Sequence, residues 1–168
     1  VTDSSIADYV VDTNVWALSS RPIADLSREE IPCYWAALQW LRTFATSTNR
    51  LRVDSHYLVL GEYRRNIRED SETQRILNDL ERRPTSRLIG TDIQLTDDPD
   101  PVAIVPEVLH ILDRSDRKFV AVALAVDPHP PIINATDTDW AKAKDYLTGV
   151  GLVVQELCPD YIQAHLRA

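Results

Sequence analysis

Short runs of strand length recur along this chain, and a segment patterned for a helix follows each one. Tyr9 to Val11, Leu51 to Asp54, Ile132 to Ala135 and Leu152 to Val154 read as strands. Their brevity and mostly apolar character are those of strands covered on both faces. Between them, Asn14 to Leu18 begins a helix, and Pro32 suits the first turn of another whose apolar positions Trp35, Leu38, Leu41 and Ala45 recur at three and four. Ser55 is placed to cap a helix reaching about Arg68. Glu72 to Arg83, with Ile76, Leu77 and Leu80 on a polar background, predicts a surface helix that Pro84 ends. Val105 to Leu112, Lys118 to Val126, Trp140 to Leu147 and Pro159 to Leu166 complete the expected helices, and Gly149 and Gly151 mark a turn. Arg21 to Ile31 reads as a loop or lid with a short helical turn, and Thr91 to Asp100 as a surface excursion. Strands alternating with helices imply a mostly parallel sheet between helical layers, a three-layer α/β/α sandwich. The length of 168 residues makes residues 1–168 one domain.

In an open parallel sheet the binding crevice lies beyond the carboxyl ends of the strands. Asp12 follows the YVV run at such an end, and Asp137 follows IINAT at another. Asp12 could instead be a helix cap, a role in which Asp is favoured. Glu62, in LVLGEYRR, shares a helix face with Leu58 and Val59; it is either a functional acid or the partner of a nearby Arg. Gly61 beside it permits close approach of neighbouring backbone. Asp116, in DRSDRKF, stands at another helix start, with capping again the second reading. Acids from separate segments gathered in one cleft would repel one another, and a divalent cation relieves that repulsion. Oxygen-only ligands suit Mg²⁺ or Mn²⁺. One or two such ions activate water and stabilise the leaving oxygen of a phosphodiester.

The formal charge of -8 argues against broad attraction to a polyanion. Basic residues can still collect at a rim, for which Arg64, Arg65, Arg68, Arg114, Arg117 and Lys118 are candidates; each also reads as a solvated surface charge. Cys33 and Cys158 have no CxxC spacing and are expected to be reduced. His56, His110, His129 and His165 form no ligand spacing, and there is neither a GxSxG elbow nor a GxxxxGK[ST] loop. Trp16, Trp35, Trp40 and Trp140 could stack bases, with core packing the reading for Trp35 and Trp40. No apolar run approaches the roughly 18 residues that cross a bilayer. With no basic start and apolar stretch in Val1 to Val10, the expectation is a cytoplasmic protein with no membrane role.

Taken in order, VVDTNVW, LVLGEYRR, DRSDRKFVAVALA and INATDTDW resemble the motifs of PIN-domain proteins, including the toxin-like ribonucleases of that family, over about residues 9 to 155. The resemblance implies a Mg²⁺- or Mn²⁺-dependent endonuclease acting on RNA. Asp12 would be the central metal ligand and Asp116 would share the metal. Asp137 would bind it or hold a coordinated water, and Glu62 would ligate it or orient a water. Thr13 or Asn14 would steady the first Asp and the substrate phosphate. Asp139 is an alternative to Asp137 or its partner, and Asp113 competes with Asp116. An antitoxin protein and a second copy of the chain are the partners implied. Two other readings stand beside it. A haloacid-dehalogenase-type phosphatase also places an Asp after its first strand, but needs a second two residues on, where this chain has Asn14. The other is a catalytically idle nucleic-acid-binding or scaffold module.

Overall fold

The computed structural model describes residues 5–82 and 87–167. Its centre is a five-stranded sheet of β1 (Asp8–Val11), β2 (Arg50–Asp54), β3 (Leu88–Thr91), β4 (Ile132–Asn134) and β5 (Val154–Glu156). Every pairing is parallel and the spatial order is β3-β2-β1-β4-β5. The helices are α1 (Thr13–Ser20), α2 (Glu30–Thr46), α3 (Leu58–Asn66), α4 (Glu72–Arg82), α5 (Arg117–Leu124), α6 (Asp139–Lys142), α7 (Lys144–Gly149) and α8 (Pro159–Leu166). From β1 the chain winds outward through β2 to β3, then returns to the other side of β1 for β4 and β5. Right-handed crossovers running in opposite directions put their helices on opposite faces. Accordingly α1 to α4 pack on one another, whereas α5 lies across β2, β1 and β4. The result is the expected three-layer α/β/α arrangement.

Central strands buried on both faces cannot alternate polar with apolar residues, and Val10, Val11, Ile132 and Ile133 are all fully buried. At the amino end of the sheet, Asp8 receives Arg50 through Nε at 2.6 Å and Nη2 at 2.9 Å, and Arg52 at 3.2 Å. These arginines hold the Asp8 carboxyl below its ordinary range against the opposing effect of burial. On α4 the expected stripe of Ile76, Leu77 and Leu80 is buried. Arg83 and Pro84, the expected end of that helix, lie outside the described residues, as do the first four residues of the Val1 to Val10 stretch.

Several local expectations are corrected. β3 was not anticipated, because Leu88-Ile89-Gly90-Thr91 has too short an apolar run to register; its place at the sheet edge tolerates that. Ser55 does not cap α3. The Asp54 carboxylate does, accepting from the backbone N–H of His56 at 2.9 Å, Leu58 at 3.0 Å and Val59 at 2.7 Å. Val105 to Leu112 is not an α-helix but a 3₁₀ turn over Glu107–Leu109. Val105, Leu109 and Leu112 are the buried residues of this stretch, and the spacing of three between Leu109 and Leu112 suits the tighter turn. Trp140 to Leu147 divides into α6 and α7, and the last strand is displaced from Leu152 to Val154 toward Val154–Glu156. Trp35 is 48% exposed and not core, because it faces away from the stripe of Ala37, Leu38 and Leu41. Trp40 is half-buried, edge-on to Tyr9 with centroids 5.3 Å apart.

The cysteines are also corrected. Cys33 on α2 and Cys158, which precedes α8, form a disulfide across 125 positions of sequence. Folding brings together two residues whose spacing carries no signal. Disulfides persist in oxidising surroundings, so the cysteines no longer support the cytoplasmic expectation. Among the described residues, no helix is long and apolar enough to cross a membrane.

Candidate metal centre

The strand order reverses between β1 and β4, the topological switch point at which open α/β sheets bind ligands. Asp12 immediately follows β1 there. Its backbone N–H donates to the Ile133 carbonyl at 3.0 Å, extending the pairing one residue beyond the strand. Its side chain then caps α1, with Oδ1 accepting from the Asn14 N–H at 3.0 Å, while Oδ2 accepts from the Trp140 indole Nε1. Both sequence readings therefore hold for the geometry: Asp12 is a cap, and it also stands in the crevice.

Asp116 precedes α5 but makes no side-chain cap. Asp137 follows β4, and its Oδ1 accepts from the Asp139 N–H at 2.9 Å. One carboxylate oxygen from each of Asp12, Asp116 and Asp137 lies within 4.8 Å of the other two. A second trio, Asp113, Asp116 and Asp139, meets the same limit and shares Asp116 with the first. Acidic residues are thus positioned to hold a metal ion. The donor set is oxygen throughout, which fits a hard divalent cation. None of Asp12, Asp116 and Asp137 is in an ion pair among the described residues.

Burial and mutual repulsion show in the acidity of these groups. Burial pushes Asp12 up to about 6, with Asp137 and Glu62 adding to the rise and the hydrogen bonds from Asn14 and Trp140 opposing it. Burial, then the charges of Asp12 and Asp137, push Asp116 up to about 7 despite nearby Lys118. Asp137 is raised chiefly by burial, with Asp139 contributing.

Glu62 belongs to neither trio. It lies beside them, where the Thr13 hydroxyl donates to Oε1 at 2.6 Å and Lys118 Nζ meets Oε2 at 2.5 Å. The Arg expected as its ion-pair partner is a Lys. Lys118 also donates to the Ser115 carbonyl and is buried, so it braces the site from inside and is no part of a rim. Asp139 Oδ1 is paired with Lys142 at 2.7 Å. Of the other rim candidates, Arg64 pairs with Glu81, Arg114 lies 3.7 Å from Asp98, and Arg117 donates to the Leu112 and His110 carbonyls. Arg68 is exposed. A cleft of about 530 Å³ opens beside the acids, with Glu62, Arg65, Asp113, Arg114, Ser115 and Lys118 among its walls.

Three residues of this network escaped the sequence reading. Asn134, fully buried at the end of β4, accepts from Asn14 Nδ2 at 2.8 Å and from the Asp137 N–H at 3.2 Å. Its Nδ2 donates to the Asp137 carbonyl at 2.8 Å and to Glu156 Oε2 at 2.6 Å. Asn14 Oδ1 in turn accepts from the N–H groups of Ala135 at 2.9 Å and Thr136 at 3.2 Å. The two asparagines thereby lock the turns that carry Asp12 and Asp137. Glu156 on β5 is itself pushed up to about 7 by burial, against the Asn134 hydrogen bond. An Asn ending a short strand was the one available signal. Trp140 and Glu156 had none, since their roles depend on contacts distant in sequence. Trp16 and Trp140 are buried, which removes both as base-stacking surfaces. No family model, curated protein or solved structure matches the chain.

Proposed function

We propose that the chain is a metal-dependent nuclease that hydrolyses phosphodiester bonds, with RNA as its substrate. The observation that carries this reading is the convergence of Asp12, Asp116 and Asp137 at the switch point, within 4.8 Å and without an ion pair among the described residues. Three of the four positions to which the PIN resemblance assigns the metal meet here; Glu62, the fourth, stands beside them. Asp12, Asp116 and Asp137 would hold Mg²⁺ or Mn²⁺, with Asp113 and Asp139 available to a second ion. Such an ion, when bound, acidifies water and offsets charge on a phosphoryl oxygen.

The chain's own groups do the positioning. Trp140 and the Asn14 N–H fix the plane of the Asp12 carboxylate, leaving it little freedom to turn. Lys118 and Thr13 hold Glu62, which keeps the Thr13 hydroxyl directed beside Asp12. In the metal-free chain burial and the neighbouring carboxylates push Asp116 up to about 7, so a proton and a cation compete for its carboxylate. Arg65 and Arg114 border the cleft and would position the strand through its phosphates. The phosphatase reading is disfavoured by more than the identity of Asn14. Its Nδ2 donates to the Asn134 side-chain Oδ1, where a carboxylate would meet oxygen. If the protein is a toxin, a neighbouring antitoxin gene would accompany it.

Cleavage of labelled single-stranded and structured RNA and DNA with Mn²⁺, Mg²⁺ or EDTA tests the proposal, with Asp116→Asn and Asp137→Asn alongside the native chain. Metal-dependent cutting abolished in both variants is expected. A folded, metal-loaded native chain that cuts none of the substrates would leave the scaffold reading in its place.

A further inference from the structure

Two residues at the start of α3, Tyr57 just before it and Gly61 within it, are each unfavourable locally. Tyr57 has φ 67° and ψ 20°, the left-handed region, and is 53% exposed. A non-glycine residue is disfavoured there, and a half-exposed ring recovers little by burial. Gly61 lies one turn on, inside the helix, where Gly is a poorer helix former than Ala. Asp54 explains why the chain turns sharply here, but not why a tyrosine occupies the turn. Rules broken together without a structural gain mark functional positions.

The geometry supplies the gain. A Cβ added at Gly61 would lie 3.4 Å from Tyr57 Cδ1 and 3.3 Å from Arg65 Nη1. The ring and the guanidinium therefore both lie over Gly61 on one helix face, at positions spaced by four. Arg64 is held by Glu81, whereas Arg65 makes no ion pair among the described residues and lines the cleft with Leu58 and Glu62. The same helix thus presents, from its start, an exposed aromatic ring, the cleft beside the acidic trios, and an uncommitted cation. An exposed ring beside an uncommitted cation suits an unpaired strand, whose base has a free π-face and whose phosphate is anionic.

We infer that Tyr57 and Arg65 form a docking shelf for single-stranded nucleic acid, with a base stacked on Tyr57 and a neighbouring phosphate at Arg65. This rests on the nuclease reading for the purpose of the site, but not for its detection. A duplex, whose bases are stacked within the helix, would not use the shelf.

The test is binding of a short single-stranded RNA carrying 2-aminopurine to the full chain in EDTA, where metal-dependent cutting cannot occur. Tyr57→Phe should preserve affinity and fluorescence quenching. Tyr57→Gly should lower affinity about tenfold and abolish the quenching without lowering Tm, because Gly accepts the left-handed backbone. Arg65→Ala should weaken binding and reduce its dependence on salt. Equal affinity and quenching in Tyr57→Gly would overturn the inference, and so would equally tight, Tyr57-dependent binding of a duplex. Cleavage by the native chain persisting unchanged in Tyr57→Gly would reject the shelf and leave the nuclease reading intact. Quenched, Tyr57-dependent binding by a chain that cuts nothing would do the reverse.

Discussion

Trp140 Nε1 donates to Asp12 Oδ2, joining the helix after β4 to the end of β1 across 128 positions of sequence. Asp12 also receives the Asn14 N–H, so two donors share its two oxygens. An amide at position 12 has one oxygen and must leave one donor unmatched. Asp12→Asn should therefore cost about 1–3 kcal/mol of the stability gained by neutralising the charge, whereas Trp140→Phe should weaken metal binding while leaving all the carboxylates in place. Denaturant unfolding and calorimetric titration with Mn²⁺ check the pair. Asp12→Asn as stable as Asp116→Asn would contradict the two-donor account.

Asp116 makes no cap and no side-chain hydrogen bond among the described residues, and its pKa is pushed up to about 7. Asp116→Asn removes a repelled charge and gives up little. In EDTA at about pH 8 it should stabilise the chain by about 1–2 kcal/mol, a figure already discounted for solvent screening. Affinity for Mn²⁺ should fall by at least tenfold. Loss of stability in the metal-free variant would show that Asp116 is held by contacts other than those described.

The raised acids set the pH dependence. Asp12 at about 6, and Asp116 and Glu156 at about 7, lie above their unfolded values. Between about pH 4 and 7 the folded chain consequently binds more protons than the unfolded chain, and stability falls as pH rises. Below about pH 4 the sign reverses, as Asp8, Glu30 and Glu72, all lowered by their hydrogen-bonding partners, lose their ionised form. Thermal melts in EDTA should show Tm declining from about pH 5 to pH 8. Mn²⁺ should raise Tm most at the upper end, where the ligands are free of protons. A metal-free Tm that rises over this interval would refute the assignment.

The Cys33–Cys158 bond closes a loop of 125 positions and ties the start of α8 to α2. Cross-linking so long a segment restricts the unfolded chain, and its loss should cost about 2–4 kcal/mol. Reduction with a dithiol, or the Cys33→Ser Cys158→Ser double variant, should lower Tm accordingly. Mn²⁺ affinity should change little, since neither cysteine touches the acids. Identical melting of the oxidised and reduced chains would show that the bond does not form.

Short apolar runs spaced by helical segments were enough to specify a parallel sheet with helices on both faces, because burial on both sides demands unbroken Val and Ile in Tyr9–Val11 and Ile132–Ile133. The same text put acids after strands, and position after a strand in such a sheet is position in the crevice. Asp12 and Asp137 were legible for that reason, whereas Asp116, which precedes α5, was legible from its helix start and the PIN resemblance. Strand order was not: only the return of the chain to β1 makes Asp12 and Asp137 neighbours at a switch point and leaves Glu62 to Lys118 and Thr13. Nor could local sequence reveal Trp140 on Asp12, Glu156 on Asn134, or Cys33 on Cys158. Those contacts join residues far apart in the chain, and periodicity and capping report only interactions within a few residues. The conformation of Tyr57 lies between these cases. The residue is plain in the sequence, but its left-handed turn arises from the Asp54 carboxylate gathering three backbone donors, an arrangement that exists only once β2 ends against α3.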